Sequence, residues 1–306
     1  MTEPPLRDVD FVVSDHAHGA RLDRALRDAA PGSAWSRVRR AIETGKVRVD
    51  ELPVTDPGAV VSAGQRVELR LAAPRTRATP RIGCEIVFAD RDLVVVNKPP
   101  LLSTVPFEPS EQGTLVDLVR RELSRRDSRS QPPLGVVHRL DKETSGLVMF
   151  ARSVPAKRHL KQQLRFHSVH RRYLALVHGD LEGRTFRSRL VEDRGDGLRG
   201  STDNPTLGQP AITHVSVLTR GSGVTLVECR LETGRTHQIR IHLSEAGHPL
   251  VGERVYVRGW DGTRVEAPRL MLHAKELGFV HPRTEEQVRF EVDVPDDMAA
   301  VVARMT

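Results

Sequence analysis

The sequence predicts an α+β protein. A large domain built on a mixed, largely antiparallel sheet follows a small domain of two helices and short strands. Three observations carry this. After residue 84, helical and strand patterns mix without regular strand–helix–strand alternation, which argues against a parallel, doubly wound sheet. Before residue 72, two short helical patterns precede three strand patterns. Between the two regions the composition breaks: residues 72–83 (AAPRTRATPRIG) hold two prolines, three arginines and almost no large apolar residue, and read as an exposed linker. The expected layout is residues 1–75 for the small domain (core 18–72), 76–83 for the linker and 84–306 for the large domain.

In the small domain, Leu22, Ala25, Leu26 and Ala29 recur at helical spacing, with Arg21, Arg24 and Arg27 on another face. A second helix carries Val38, Ala41 and Ile42 inward and Arg37 and Arg40 outward, with Ser36 as a candidate N-cap. After Gly45 the pattern turns to strands: KVRVD, PVTDPGAVV and GQRVELRL.

In the large domain, Ile86, Phe88 and the run 93–96 read as two strands joined at Asp90 to Asp92, and the prolines of NKPP end the second. Residues 112–131 read as an exposed arginine-rich helix ending in a loop. Val136 and Val137 close one strand, and 146–150 opens another. Pro155 starts a helix with Ala156, Leu160 and Leu164 inward. RRYLALVHG is a strand with Tyr173, Ala175 and Val177 on one face. Residues 183–210, rich in Gly, Arg and Asp, read as surface turns or an excursion from the core. Residues 224–231 alternate as a strand, 234–246 read as a helix with Ile239, Leu243 and Ala246 buried, and RLMLHAKELGFVHP supplies a last strand.

Composition narrows the function. The net charge of +7 over 306 residues favours an anionic partner, nucleic acid before a membrane surface. Two cysteines, Cys84 and Cys229, cannot make a disulfide framework or a four-cysteine zinc site, and fit a reduced compartment. The acidic start MTEPPLRDVDFVVSD lacks a secretory apolar segment, and no apolar run approaches the ~20 residues a membrane helix needs. A cytoplasmic protein is the expectation.

The stretch VVHRLDKETSGLV, residues 136–148, poses the chemical question: a charged, turn-rich centre between two apolar runs. His138, His237, His242 and His273 have no H-E-x-x-H or paired-cysteine spacing to make a metal site of them, and no metal is expected. No G-x-S-x-G elbow and no P-loop occurs. Glu143 lies too close in sequence to Asp141 to act as the second carboxylate of a glycosidase. Taken alone, Asp141 could as well cap a turn or pair with Arg139, and Tyr173 could be a half-buried strand tyrosine. A pure RNA binder and a small-molecule nucleoside hydrolase remain open on these residues.

Two resemblances sharpen this. The run RLDRALRDAAPGSAWSRVRRAIETGKVRVDELPV resembles an S4-type RNA-binding domain, with Asp50-Glu51 standing where that family usually has Asn-Gly. The stretches VVVNKPPLL, HRLDKETSG, RRYLALVHG, ETGRTHQIRIHL with GHPLVGE, and LHAKELGFVHP, in this order, resemble the RluA family of pseudouridine synthases over nearly the whole chain. The resemblance implies an RNA-directed isomerase of the pseudouridine synthase fold. No cofactor is implied, and the substrate is structured RNA, in the manner of members acting on large-subunit (23S) ribosomal RNA. A monomer that needs no membrane is the expectation.

Asp141 matches the catalytic aspartate, Tyr173 the tyrosine against the target base, Arg240 the arginine paired with the aspartate, and Arg139 an arginine that holds the place of the everted nucleotide. His138, Thr144, Ser145, Gly146, Arg235 and His237 fall in the same matched stretches and join the implied RNA-binding set, as do Arg21, Arg37 and Arg40 of the S4-like part. Arg172 stands near a position where lysine is common, and Glu253 where aspartate is common. The implied chemistry breaks N1–C1′, turns the base and rejoins it through C5. A carboxylate kept ionised by Arg240 serves it either by attack at C1′ or by removal of the C2′ proton. The base must leave the stack to be reached, and Tyr173 could stack on it.

Overall fold

The computed structural model describes residues 6–54, 57–59, 61–73, 84–108, 111–127 and 132–305. The chain divides into two compact units, Met1–Gly83 and Cys84–Thr306. The expected linker falls almost wholly on residues 74–83, outside the described residues.

The first unit contains β1 (Val9–Val12), α1 (Leu22–Ala29), α2 (Trp35–Glu43), β2 (Val47–Val49), β3 (Leu52–Val54) and β4 (Arg66–Leu69). Its sheet runs β1-β4-β2-β3 with antiparallel neighbours. The apolar stripes close on it as expected: Leu22, Ala25 and Leu26 of α1 and Val38, Ala41 and Ile42 of α2 pack with Val47, Val67 and Leu69. Helix α2 starts earlier than the sequence suggests. Its N-cap is Ala34, which makes no side-chain cap bond, so Ser36 lies inside the first turn. Burial of the stripe, not a capping hydroxyl, sets where this helix begins. Strand β1 carried no clear sequence pattern.

Asp23 is buried between the two helices and accepts hydrogen bonds from Arg21 and Arg39, each pair reaching 3.0 Å. Burial pushes its carboxyl up, but the two guanidinium donors outweigh burial and hold it below the ordinary value.

The Asp50-Glu51 turn between β2 and β3 forms without glycine. Both residues are left-handed, with φ of 48° and 66°. The Asp50 carboxylate is braced on the backbone N–H of Arg66 and the amide of Gln65, both at 2.9 Å. Glu51 has no such brace among the hydrogen bonds of the described residues, so it carries a left-handed cost of about 1 kcal/mol. Glu51→Gly is therefore expected to raise the stability of the first unit by about 0.5–1 kcal/mol. The check is the first transition in a thermal melt of the full chain; an unchanged or lowered midpoint refutes the strain.

The second unit contains β5 (Glu85–Ala89), β6 (Leu93–Lys98), α3 (Leu115–Asp127), β7 (Gly135–Val136), β8 (Ser145–Ala151), α4 (Val154–Arg165), β9 (His170–His178), β10 (Arg184–Val191), β11 (Gly200–Thr202), β12 (Gln209–Gly221), β13 (Val224–Leu231), α5 (Gln238–Glu245), β14 (Leu272–Val280), β15 (Gln287–Glu291) and α6 (Asp296–Val302). Its sheet has eleven strands, ordered β11-β10-β12-β13-β9-β14-β8-β6-β5, with β15 added on β14 and β7 on β8. Every pairing is antiparallel except β8 with β14. The mixed, largely antiparallel α+β architecture expected from the sequence is the one observed. Helices α3 and α5 cover the face that carries Val96, Val148, Tyr173 and Ala175. Helix α4 covers Val95 and Met149, and α6 covers Leu174 and Leu176, on the opposite face.

Three expectations are corrected. Residues 184–191 are strand β10, paired along its length with β12, not surface turns. Its side chains alternate without a continuous apolar face, so only the partner strand reveals it. Helix α5 begins at Gln238, not at 234, because His237 adopts a left-handed φ of 57° that no right-handed helix can include. Helix α3 buries Leu115, Val116, Val119 and Leu123, so only one face is exposed; the loop expected after it falls partly on residues 128–131, outside the described residues. Strands β11, β12 and β15 and helix α6 were not anticipated.

The parallel pair is the key to the site. Strands β8 and β14 point the same way, so the segments that precede them, 137–144 and 252–271, emerge at the same end of the sheet. Gly146 pairs with Ala274, which pairs with Tyr173 on the next strand, forming one row across the sheet centre. Gly146 has φ 108°, and a Cβ there would lie 2.2 Å from the Ala274 carbonyl oxygen, so only glycine lets these strands close.

Candidate active site

Asp141 sits at the tip of the segment between β7 and β8, with its side chain 29% exposed. The segment is held from beneath by two buried cations on successive carbonyls. Lys98, at the end of β6, donates to the carbonyls of Pro99 and Leu102, both at 2.9 Å, and of Lys142 at 3.0 Å. Arg269 donates to the carbonyl of Glu143 at 3.2 Å while paired with Asp297 of α6. The Thr104 hydroxyl adds a third tie, to the Leu140 carbonyl at 2.7 Å. A turn of the charged segment is thereby fixed through its backbone, which leaves the Asp141 side chain free to project.

Burial, and then the nearby Arg269, push the Lys98 ammonium down to about 7, with Asp141 opposing. Three carbonyl acceptors nonetheless match the three donors of the charged form. Lys98→Met leaves all three carbonyls without this donor and is expected to cost about 2 kcal/mol net of the relieved charge burial. The sign of the pH dependence follows from the lowered value. Between about 7 and the ordinary Lys value near 10.4 the unfolded chain holds the extra proton, so wild-type stability rises with pH there. The variant should melt about 4–8 °C lower at pH 7 and lack that rise; thermal melts across this range showing the same slope in both proteins contradict it.

Arg240, on the first turn of α5, reaches Asp141 at 3.5 Å, although 99 residues separate them. Its main partner is another residue. Glu253, with a side chain 0% exposed, takes Nε and Nη2 of Arg240 at 2.7 Å each. The Glu253 carboxylate also accepts the backbone N–H groups of Arg254 and Val255 at 3.0 and 2.9 Å. Burial alone would push the guanidinium down and the carboxyl up; the two-pronged contact overrules both, leaving Arg240 above and Glu253 below their ordinary values. The Arg240 guanidinium lies 5.2 Å from the centre of the Tyr256 ring.

His237 closes the other side. The Tyr256 hydroxyl lies 2.7 Å from its Nδ1, and burial pushes the tyrosine up. Its Nε2 faces Asp141 at 3.8 Å. Burial pushes His237 down, against the raising effect of Asp141, which favours the neutral ring. Tyr173 lies 8% exposed on the same sheet face as the core beneath α5; burial pushes its hydroxyl up, with Arg171 opposing and Asp141 adding to the shift.

The structure thus brings Asp141, Arg240, His237 and Tyr173 together. The other expected residues have separate placements. His138 turns inward, its Nε2 accepting the Met149 backbone N–H at 3.2 Å, and burial followed by Arg171 pushes it down to about 3. Arg139 is exposed beside the turn. Thr144 is buried and its hydroxyl has no hydrogen-bond partner. The Ser145 hydroxyl meets His273 Nδ1 at 3.0 Å, and Gly146 serves the strand contact described above. Arg235 is half-buried, its Nε on the Pro210 carbonyl at 3.0 Å. In the first unit, Arg37 and Arg40 are exposed on α2, and Arg21 is exposed and paired with Asp23. Among the described residues no group of three or more His, Cys, Asp or Glu side chains is arranged to hold a metal ion.

Glu253, Lys98 and Arg269 did not stand out in the sequence as site residues. Glu253 had a signal, since it ends the GHPLVGE stretch, but its role depends on a fold that returns it to α5. Arg172, the residue beside the expected lysine position, faces Glu228 at 3.1 Å, whereas Arg171 faces the tyrosine side of the sheet.

The site therefore sets a projecting carboxylate beside an anchored guanidinium and a buried tyrosine on a largely antiparallel sheet, in a chain with a separate arginine-bearing unit. The family model described as RNA pseudouridylate synthase matches residues 92–245, and the S4 domain model matches residues 20–67. The chain is 36% identical over 310 residues to ribosomal large subunit pseudouridine synthase D of Nitrosomonas europaea, covering 96% of this chain and 87% of that relative. It is 35% identical over 317 residues to an uncharacterised RNA pseudouridine synthase of Bacillus subtilis, covering 98% and 99%. Among solved structures it is similar to human RNA pseudouridylate synthase domain containing 1, with TM-score 0.57 and 26% identity over 72% of this chain and 87% of that one. The chain belongs to the RNA pseudouridylate synthase family, and its activity is that of an isomerase forming pseudouridine in RNA.

Proposed function

We propose that this protein converts uridine to pseudouridine in large-subunit ribosomal RNA, with Asp141 as the reacting group. The observation that carries the reading is the placement of this half-exposed carboxylate: backbone ties hold its turn, and Arg240 and His237 flank it at 3.5 and 3.8 Å. The reaction breaks N1–C1′ and forms C5–C1′; N1 gains a proton and C5 loses one, so no oxidant or further reactant is consumed. Asp141 serves this either by bonding to C1′ as the base departs or by taking the C2′ proton. Tyr173 lies against the everted base, where stacking on an aromatic ring is worth about 1–3 kcal/mol. Arg240, held by Glu253, keeps positive charge beside Asp141 while the base turns.

The names of the relatives support the ribosomal substrate. Arg21, Arg37 and Arg40 of the first unit bind RNA backbone, Arg139 takes the place of the everted nucleotide, and the protein works as a cytoplasmic monomer. Among the described residues no helix is long and apolar enough to cross a membrane. The test is release of tritium from large-subunit ribosomal RNA transcribed with [5-³H]uridine. Stoichiometric release at defined uridines supports the reading. No release from this RNA, with release from transfer RNA instead, refutes the substrate.

A further inference from the structure

Among the described residues of the second unit, four lysine and arginine side chains are buried, and three have evident counterparts: Lys98 has three carbonyls, Arg240 has Glu253 and Arg269 has Asp297. Arg171 differs. It is 6% exposed, its Nη2 donates to the Glu232 carbonyl at 2.8 Å, and its Nε has no partner among the described residues. Among the described residues no carboxylate pairs with it. The groups that bear on it electrostatically are the Tyr173 hydroxyl and a second guanidinium, Arg235. His138, the other basic group beside it, is neutral. Burying a guanidinium costs several kcal/mol unless an anion answers it, and a like charge nearby increases that cost.

The wall above Arg171 is thin in one place. Gly234 is exposed, and a Cβ there would lie 2.3 Å from Nη1 of Arg171. Any side chain there would cover or displace the guanidinium, and glycine has none. Arg171 also precedes Tyr173 by two residues on β9, so both side chains point to one face of the sheet, about 7 Å apart along the strand.

We propose that Arg171 and Arg235 form an anion subsite, reached past Gly234, that receives a backbone phosphodiester adjoining the nucleotide at Tyr173. The guanidinium fork matches two phosphate oxygens, and the incoming charge supplies the counter-ion the protein lacks. The subsite fixes the strand while the base turns, because the phosphate does not move with the base. This inference rests on the assignment of Asp141 and Tyr173 as the uridine pocket.

Phosphate-ethylation interference on overlapping large-subunit RNA transcripts, with the full chain, tests it. In the wild type, one ethylated phosphate near the modified uridine should block binding. In Arg171→Met that phosphate should become indifferent while the others keep their effect, and the slope of log affinity against log salt should fall by about one contact. Arg171→Lys should retain the sensitivity. Gly234→Ala, at an exposed position, should lose it in a folded protein, so the test survives if Arg171→Met does not fold. Interference patterns and salt slopes identical to wild type in both Arg171→Met and Gly234→Ala overturn the subsite. Tritium release by the wild type on the same transcripts is scored separately, so a failure of the uridine assignment is distinguishable from a failure of the phosphate contact.

Discussion

Asp141→Asn is expected to abolish tritium release from 5-labelled uridine RNA, lowering turnover by about 10⁴-fold, while RNA affinity stays within about twofold of wild type. The amide has the size of the carboxylate, and the backbone ties of the turn do not involve the side chain. The contacts it would weaken are long, at 3.5 and 3.8 Å, and the group is partly solvated, so the structural loss is of the order of a surface ion pair, about 0–1 kcal/mol. What disappears is the ability to bond to C1′ or take the C2′ proton. An Asn variant that releases tritium at the wild-type rate removes Asp141 from the chemistry. A variant that loses binding in parallel with turnover makes it a binding residue instead.

Glu253→Gln is expected to lower both stability and turnover, by about 3–5 kcal/mol and about 100-fold respectively. The carboxylate is fully buried, holds two nitrogens of Arg240 and caps two backbone N–H groups. An amide can accept on only one side and sets its own N–H groups against the guanidinium. Arg240 is then left buried without its paired carboxylate, holding at most one amide oxygen and the longer contact to Asp141. A double-mutant cycle separates the two roles. Removing Arg240 as well, in Glu253→Gln with Arg240→Met, should recover about 1–3 kcal/mol of stability and no turnover. Additive stability losses would show that the two residues act independently, and an active double variant would show that Arg240 is not needed beside the carboxylate. At 223 residues the second unit should register the single substitution as a fall of about 10 °C in its melting transition.

The expectation that Arg240 pairs with the aspartate and the observed arrangement differ in emphasis, and the difference is instructive. The pairing exists, but as the weaker half of a shared guanidinium. The stronger half belongs to Glu253, which the sequence marked only as an unusual acid at the end of GHPLVGE. No periodicity connects residue 253 to residue 240; a chain reversal after α5 does. Arg171 tells the same story. In RRY the residue marked by the sequence was Arg172, yet strand alternation sends Arg171 inward beside Tyr173 and Arg172 outward to Glu228.

Local physics made much of this protein readable before any coordinates. Apolar spacing in α1, α2, α4, β6 and β9 is set by how helices and strands bury one side, and the composition break near residue 76 separates two cores because an apolar-poor segment has nothing to bury. The interrupting segment around Asp141 was likewise visible, since charge between two apolar runs must face outward. Strand β10 was not, because its edge-like alternation has meaning only against β12. Nor was the start of α5, which a left-handed His237 delays. Above all, the centre of the sheet was decided in three dimensions. One parallel pairing, closed at a glycine, sets the turns before β8 and β14 at the same end and returns Glu253 to Arg240 and Arg240 to Asp141. Contacts between residues a hundred positions apart depend on strand direction and register, and those are properties of the packed sheet, not of any segment alone.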